Sequence, residues 1–473
     1  MPLPRCLFPH QDCAFWGLDV KLPPPSRLSC TQGKACCWLK TAKAAHVSPP
    51  CAWGCYTGTS GRTHPPPPPP PPPPPFKCRT DEHCALAGTC DVTTGACTCF
   101  RGFLPPDCGA LDIAPTAAEN GWRPPNLTTW GGSPIRVGGT FHLFASLNRW
   151  GSVDTWPNSS VIVHATATAP GGPYGNHTII LGNRSADYFD GHAVQNPVAI
   201  VLHDQSIALF YVGLTCRAPY TSSDCEDSAN SSLGVAHAPG PDGPWTRMDT
   251  PILSSLRPIN EEGDALANPA VWQEEDGSLL LAFRGRHDEV LPIATAPHWS
   301  GPYTRTKPAG ASAFPSGCLV MFCNGSICHD DRDLLSGSVR DISRPQVGSF
   351  KCLEDPFLFR LKSGSYHMLL HNQLGDFAGA HGFSADGANW SLSPTPAYTK
   401  TVAFEGGTSR GFSRREEPKL LVQGGAGTGE PRRATHLFNA VCPNAVPHVC
   451  GEVLSVPIEP AIELWDDGAS GAR

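Results

Sequence analysis

Two short stretches of this sequence set carboxylates beside proline: "LEDPFLF", with Glu354 and Asp355, and "RREEPKLL", with Glu416 and Glu417. Carboxyl groups crowded together resist ionising all at once, so one keeps its proton after its neighbours have lost theirs. Acid–base chemistry needs that asymmetry, one group to give a proton and another to stand as the anion. Asp355, Glu416 and Glu417 are therefore the leading catalytic candidates. Arg414 and Arg415, just ahead of the second pair, and Arg284 in "LLLAFRG" are candidates for holding substrate oxygens. Their structural alternative is to pair with the same carboxylates as strand-end ion pairs. Asp190 in "YFDGHAVQNP" and Asp264 in "EEGDALANP" are candidates for a third carboxylate, or else solvated turn acids.

The elements that must position these groups show themselves as a repeat. A polar residue followed by proline recurs at Ser133-Pro134, Asn196-Pro197, Asn268-Pro269, Asp355-Pro356 and Glu417-Pro418. Each pair leads a β-rich run, a turn and a second apolar run: "FHLFASL", "IALFYVG", "LLLAFRG", "YHMLLHN" and "ATHLFNAV". Four units add a third run, three of which end in Gly-Pro-aromatic, with Asn389-Trp390 in that place in the fourth. The pairs lie about 60 to 90 residues apart, the length of one small antiparallel sheet with its loops. Such a sheet cannot bury both faces alone, so neighbours must stack radially, which predicts an all-β, five-bladed β-propeller over residues 112–460. A two-sheet sandwich competes, but sandwiches do not repeat three-strand units with matched endings. Proline is tolerated at the first residue of a strand. Each pair is thus expected to mark where an innermost strand begins, with the residue before proline facing the channel mouth.

Ahead of the repeat, residues 1–64 carry seven cysteines in no readable spacing and are expected to be disordered or not authentic. The opening "MPLPRCLFPHQDCAFWGLDVKL" lacks the charged start and apolar stretch of a secretion signal. The prolines of residues 65–75 predict a stiff polyproline II linker. Residues 76–109 place six cysteines at Cys78, Cys84, Cys90, Cys97, Cys99 and Cys108. A core that small needs covalent staples. The tight Cys97-x-Cys99 followed by Cys108, with Gly102 between, resembles an EGF-like module. That resemblance implies the pairing Cys78–Cys90, Cys84–Cys97 and Cys99–Cys108. "PPFKC" lacks the acidic residues of the calcium-binding subtype, so no calcium is expected there. Further along, Cys216–Cys225 and Cys442–Cys450 are candidate loop staples. Cys318, Cys323, Cys328 and Cys352 leave three pairings open.

Over roughly residues 112–460 the strand-leading motifs resemble five-bladed propeller glycoside hydrolases of the arabinanase, xylosidase and fructosidase type. The resemblance implies carboxylates converging on the axis: a base or nucleophile, a carboxylate tuning proton affinity, and a general acid. Glycoside hydrolysis needs a proton donor and an anion flanking an oxocarbenium-like transition state. "LEDPFLF" matches the motif of the modulating carboxylate, which falls on Asp355, and "REEP" supplies Glu416 and Glu417 for the acid. The sequence departs from the pattern with Ser133 at the first blade and Asn268 at the third. Asp190 or Asp264 would then complete the set. Asn196, Asn268, His192, His371 and His381, with Asn372, fall near strand ends where they would bond sugar hydroxyls. Trp130, Trp272 and Phe357 are candidates for stacking on a sugar ring. "HDDRD", with His329, Asp330, Asp331 and Asp333, reads as a solvated loop, so no metal or other cofactor is expected.

Bulk numbers bound the rest. Twenty-one cysteines, with sequons at Asn126, Asn158, Asn176, Asn183, Asn230, Asn324 and Asn389, predict a glycoprotein of the secretory pathway, extracellular or lumenal. A net charge of −7 spread without basic runs argues against nucleic acid, and no apolar stretch is long enough for a transmembrane helix. The expected partner is a carbohydrate. The competing reading is a catalytically silent propeller that binds glycans or proteins. Residues 461–473 are expected to be a disordered tail.

Overall fold

The computed structural model describes residues 76–215, 231–254, 266–285, 291–306, 322–324, 327–329, 353–372, 379–425, 428–443 and 451–466. The small module comes first, with hairpin β1 (Gly88–Asp91) and β2 (Ala96–Cys99), then β3 (Phe103–Leu104) paired with β4 (Ala110–Leu111). Its disulfides are Cys78–Cys90, Cys84–Cys97 and Cys99–Cys108, the pairing the resemblance implies. The module is not a bead on a tether. Cys84, Phe103, Cys108 and Leu111 share one apolar core with Met368, Trp390, Leu437 and Ile462 of the propeller. Phe103 stacks on His381 with ring centroids 5.5 Å apart.

Five four-stranded sheets follow. Blade I is β5 (Thr128–Val137), β6 (Thr140–Asn148), β7 (Ser160–Ala167) and β8 (Gly175–Leu181). Blade II is β9 (Ala193–Val201), β10 (Ile207–Leu214), β11 (Ser231–Ala238) and β12 (Thr246–Arg247). Blade III is β13 (Leu266–Gln273), β14 (Leu279–Gly285), β15 (Ile293–Ala296) and β16 (Thr304–Arg305). A separate hairpin, β17 (Phe322–Asn324) and β18 (Ile327–His329), sets the backbone of Cys323 opposite Cys328. Blade IV is β19 (Leu353–Arg360), β20 (Tyr366–Asn372), β21 (Gly379–Ser384) and β22 (Ser391–Leu392). Blade V joins β23 (Thr401–Ala403), β24 (Ser409–Gln423), β25 (Arg433–Pro443) and β26 (Glu452–Glu463).

The innermost strands β5, β9, β13, β19 and β24 touch in cyclic order, and β24 returns to β5. Each blade is too thin to bury its own faces, so the cores lie between blades. Phe144, Ile162, Tyr211 and Ala236 fill the space between blades I and II, and Phe210, Leu233, Leu281 and Phe283 that between II and III. Trp122, Leu143, Tyr174, Phe438 and Val453 join blade I to blade V. Blade V has its outer edge laid down by the chain ahead of blade I: Ile113 bridges Ile458 and Trp122 bridges Val453, both antiparallel. Trp122 N–H donates to Val453 O at 2.8 Å, and Val453 N–H returns a bond at 3.1 Å.

Two sequence expectations change. The prolines stand inside the innermost strands, not at their first residue: β9 begins at Ala193 and β19 at Leu353. Pro197, Pro269, Pro356 and Pro418 are tolerated because each sits in a β-bulge, where the ladder asks for no N–H, whereas Pro134 stands in register opposite Leu143. At the C-terminal end, β26 runs to Glu463, Leu464 bridges Leu361, and Arg360 lies 4.3 Å over Trp465, so ordered chain continues past residue 460. Residues 1–64, the proline run, Asp264, Cys216–Cys225, Asn230, Cys318, Cys352 and the Asp330, Asp331 and Asp333 of "HDDRD" lie outside the described residues. Cys442 is disulfide-bonded, while Cys450 also lies outside them.

Candidate active site

The five innermost strands share one irregularity. In each, two residues oppose one on the neighbouring strand: Gly131-Gly132, Asn196-Pro197, Asn268-Pro269, Asp355-Pro356 and Glu417-Pro418. The first of each pair adopts a left-handed backbone, with φ of 59°, 48°, 51°, 55° and 51° in blade order. Glycine does so freely, asparagine and aspartate at modest cost, and glutamate at a real one. Such strain persists where surrounding contacts fix it, and it turns these five side-chain positions towards one another.

The hydrogen bonds trace that ring. Asn196 Nδ2 donates to Asn268 Oδ1 at 2.6 Å, and Asn268 Nδ2 donates to Asp355 Oδ1. Asp355 Oδ2 accepts the Glu417 N–H at 3.1 Å, and Lys419 Nζ donates to Glu417 Oε2 at 2.9 Å. All five residues are buried; Asp355 is 3% exposed and Glu417 1%. Beside them stand Glu354 and Glu416, each held by a cation. Arg284 bonds Glu354, and Arg414 grips Glu416 through both oxygens at 2.7 and 2.8 Å. His371 lies among the carboxylates, its Nδ1 2.9 Å from Glu354 and 3.7 Å from Asp355, its Nε2 3.8 Å from Glu416. Among the described residues, two guanidinium groups, one ammonium and one imidazole lie against these carboxylates.

Electrostatics set the carboxylates apart. Burial first, then the charges of Glu417, Glu354 and Glu416, push the Asp355 carboxyl well above the usual range, with Lys419 opposing. Burial works against a charged His371, but Glu416 and the bond to Glu354 outweigh it and raise its proton affinity. The site therefore combines a carboxyl biased to stay neutral with a second carboxylate held by an ammonium group.

Of the residues singled out in the sequence, Asn196, Asn268, Asp355, Glu416, Glu417, Arg284 and His371 come together at the axis. Others do not. Asp190 is fully buried elsewhere, bonded to Arg184 at 2.5 Å, Arg247 at 3.1 Å and the Tyr211 hydroxyl at 2.8 Å. His192 bonds Asn158 at 2.8 Å. His381 sits under the disulfide module, its Nδ1 3.0 Å from Gly109 O and its Nε2 2.8 Å from His367. Arg415 points away from the axis, bonding Asn439 and the Thr399 carbonyl, and its burial lowers it to about 10. Trp130 is covered by Arg414 at 4.4 Å, Trp272 by Arg432 at 4.5 Å, and Phe357 packs against the core. Among the sequons, Asn126, Asn176, Asn183 and Asn389 are exposed and Asn158 is half-buried.

Sequence reasoning missed two positions of this cluster. Lys419 gave no signal, because the bulge at Glu417-Pro418 breaks the strand alternation that would have put it on a known face. Gly131 was obscured by Ser133-Pro134, which imitates the other pairs but lies two residues late. Ser133 instead accepts from Ala199 N–H at 2.9 Å, tying blade I to blade II. The blade I position of the ring therefore has no side chain. A Cβ built on Gly131 would meet nothing nearer than the Glu417 carboxyl group at 3.8 Å, so there is space beside that carboxylate.

No protein-family model and no curated protein sequence matches this chain. Solved structures do. A family 117 glycoside hydrolase of the marine bacterium Zobellia galactanivorans aligns at 12% identity and a TM-score of 0.48, over 76% of this chain and 91% of that one. A GH43_1 enzyme from Xanthomonas citri aligns at 12% identity and 0.41, over 72% and 93%. A Bacillus subtilis arabinanase aligns at 13% identity and 0.40, over 70% and 96%. Likeness at these values assigns no activity to this chain.

Proposed function

We propose that this propeller hydrolyses glycosidic bonds at the axial end of its channel, with Asp355 and Glu417 as the reacting pair and Glu416 beside them. One observation carries the reading. Two carboxyl groups on adjacent blades, both held in left-handed bulges, stand in unequal electrostatic surroundings. Glycoside hydrolysis asks for that inequality, and a merely structural ion pair does not. Arg284, His371, Asn196 and Asn268 would orient sugar hydroxyls. The resemblance to propeller glycosidases supports the substrate class, while the particular sugar is left to assay. The disulfides and exposed sequons support an extracellular or lumenal setting, and no described helix is long and apolar enough to cross a membrane.

A second reading has its own support. Three of the five ring positions carry no carboxylate, and Glu417 is almost fully buried against Lys419. A propeller so equipped would bind a glycan without cleaving it. Aryl glycosides and dye-linked arabinan, xylan and fructan separate the two. Hydrolysis is expected, with Asp355→Asn and Glu417→Gln each lowering kcat/KM by about a hundredfold or more. Binding without turnover across the panel would support the second reading, and full activity in both variants would remove the assignment of the pair.

A further inference from the structure

Blades I and IV carry the same histidine pair, and only one of the two is fully bonded. In blade I, His142 on β6 and His164 on β7 share the strand face that Phe144 turns towards blade II, with His142 Nδ1 2.9 Å from His164 Nε2. In blade IV, His367 on β20 and His381 on β21 stand in the same register, their nitrogens 2.8 Å apart. There the outer nitrogens are also engaged. His381 Nδ1 donates to the Gly109 carbonyl at 3.0 Å, and His367 Nε2 lies 2.9 Å from Ser365 Oγ. Blade I offers neither partner. No hydrogen bond from a described residue reaches His142 Nε2, and His164 Nδ1 faces the Asp242 carboxylate at 3.6 Å, too far for one.

Asp242 comes from the other side of the interface. It stands in the turn between β11 and β12 of blade II with its side chain 86% exposed, whereas His142 and His164 are buried. One nitrogen of each ring and one Asp242 oxygen lie within 4.8 Å of one another. Phe144 stacks on His164 at 5.0 Å, and Trp245 meets Phe144 edge-on at 5.6 Å, so an apolar floor fixes the imidazole plane. Burial disfavours charge on either ring, which leaves both in the neutral form that coordinates metal. Donor atoms on a tetrahedral zinc with bonds of about 2.0 Å lie about 3.3 Å apart. The cluster therefore needs to contract by about 1.5 Å at most, a movement that an exposed aspartate on a turn can supply.

We propose that His142, His164 and Asp242 form a zinc site that braces blade I against blade II outside the axial ring, with water completing the shell on the exposed side. Two imidazoles and one carboxylate suit zinc, whereas calcium and magnesium prefer oxygen alone. The brace owes nothing to the chemistry at the axis and stands whether or not the chain cleaves glycosides.

Titrating the metal-free full chain with zinc chloride against a chromogenic chelator tests this. One tightly held zinc per chain is expected, raising the melting temperature on loading, and calcium chloride at the same concentration is expected to do neither. X-ray absorption at the zinc edge is expected to show two imidazole ligands. Asp242→Asn changes an exposed turn residue and is expected to weaken zinc binding about tenfold or more. His142→Gln and His164→Gln are expected to abolish it; if they fail to fold, the Asp242→Asn titration and the absorption spectrum decide. No tightly held zinc, or zinc bound equally well by Asp242→Asn, would overturn the site. So would zinc lost only in His371→Gln, which would put the ion among the axial carboxylates, or a sulfur-ligated ion, which would put it on cysteines.

Discussion

At the scale of the residue, the strongest statement concerns Asp355. Its proton affinity in the folded chain lies well above the ordinary value of 3.8, through burial and then three neighbouring carboxylates. A folded state that binds a proton more tightly than the unfolded state loses stability as pH rises from 3.8 towards the folded value, and keeps that penalty above it. Asp355→Asn removes the titrating group. The melting temperature of this variant relative to wild type is expected to climb with pH across that window. In free energy the climb amounts to about 1.4 kcal/mol for each pH unit by which the folded value is raised. Thermal melts in a pH series check it; a difference that stays flat would show that Asp355 ionises normally. Asp355 and Glu417 were legible in the sequence because proline flags them. Lys419 was not, because its meaning depends on knowing that Glu417 is buried. Asp190 misled for the same reason in reverse: an aspartate ahead of a strand does not show whether arginines such as Arg184 in the same loop and Arg247 on the blade II edge strand will claim it.

At the scale of the element, the bulge organises the site. Proline gave the repeat its rhythm, and the five-blade count follows directly from it. What proline hid was its own position, because a strand with a bulge and a strand that starts late look alike in sequence. In blade I the reading slipped by two residues, from Gly131 to Ser133. Adjacent glycines there make a sharp comparison. Gly131 has a left-handed φ of 59°, and a Cβ there would make only ordinary contact, 3.8 Å from the Glu417 carboxyl group, so Gly131→Asn is expected to cost about 1 kcal/mol. Gly132 has no such room, since a Cβ would lie 2.7 Å from a Val453 methyl and 3.2 Å from Leu143. Gly132→Ala is expected to cost about 1–3 kcal/mol through overpacking. Equilibrium denaturation of the two variants should rank them in that order, and the reverse order would show that the bulge is misplaced.

At the scale of the molecule, the disulfide module and the ring behave as one body. The sequence presented them as separate units joined in series, since a cysteine framework and a blade repeat carry different signals. The fusion lies in packing that neither signal encodes: Phe103 against His381, His381 against the Gly109 carbonyl, and Ser365 Oγ against Leu86 O at 3.2 Å. Phe103→Ala is expected to destabilise by about 3–5 kcal/mol. Calorimetry should show one transition moving down as a whole. A separate early transition, with the main one unmoved, would mean that the module is an appendage.

The outer edge of blade V, laid down by Ile113 and Trp122 against Ile458 and Val453, has a consequence for how the protein is made. A ribosome delivers that edge before any blade and the strand it must meet after all of them. For the whole of synthesis Trp122 waits without its mate, so the last act of folding joins residues more than three hundred positions apart in the chain. Nascent chains stalled short of β26 would carry a sticky, unpaired margin, and their capture by chaperones should end abruptly once Val453 has emerged.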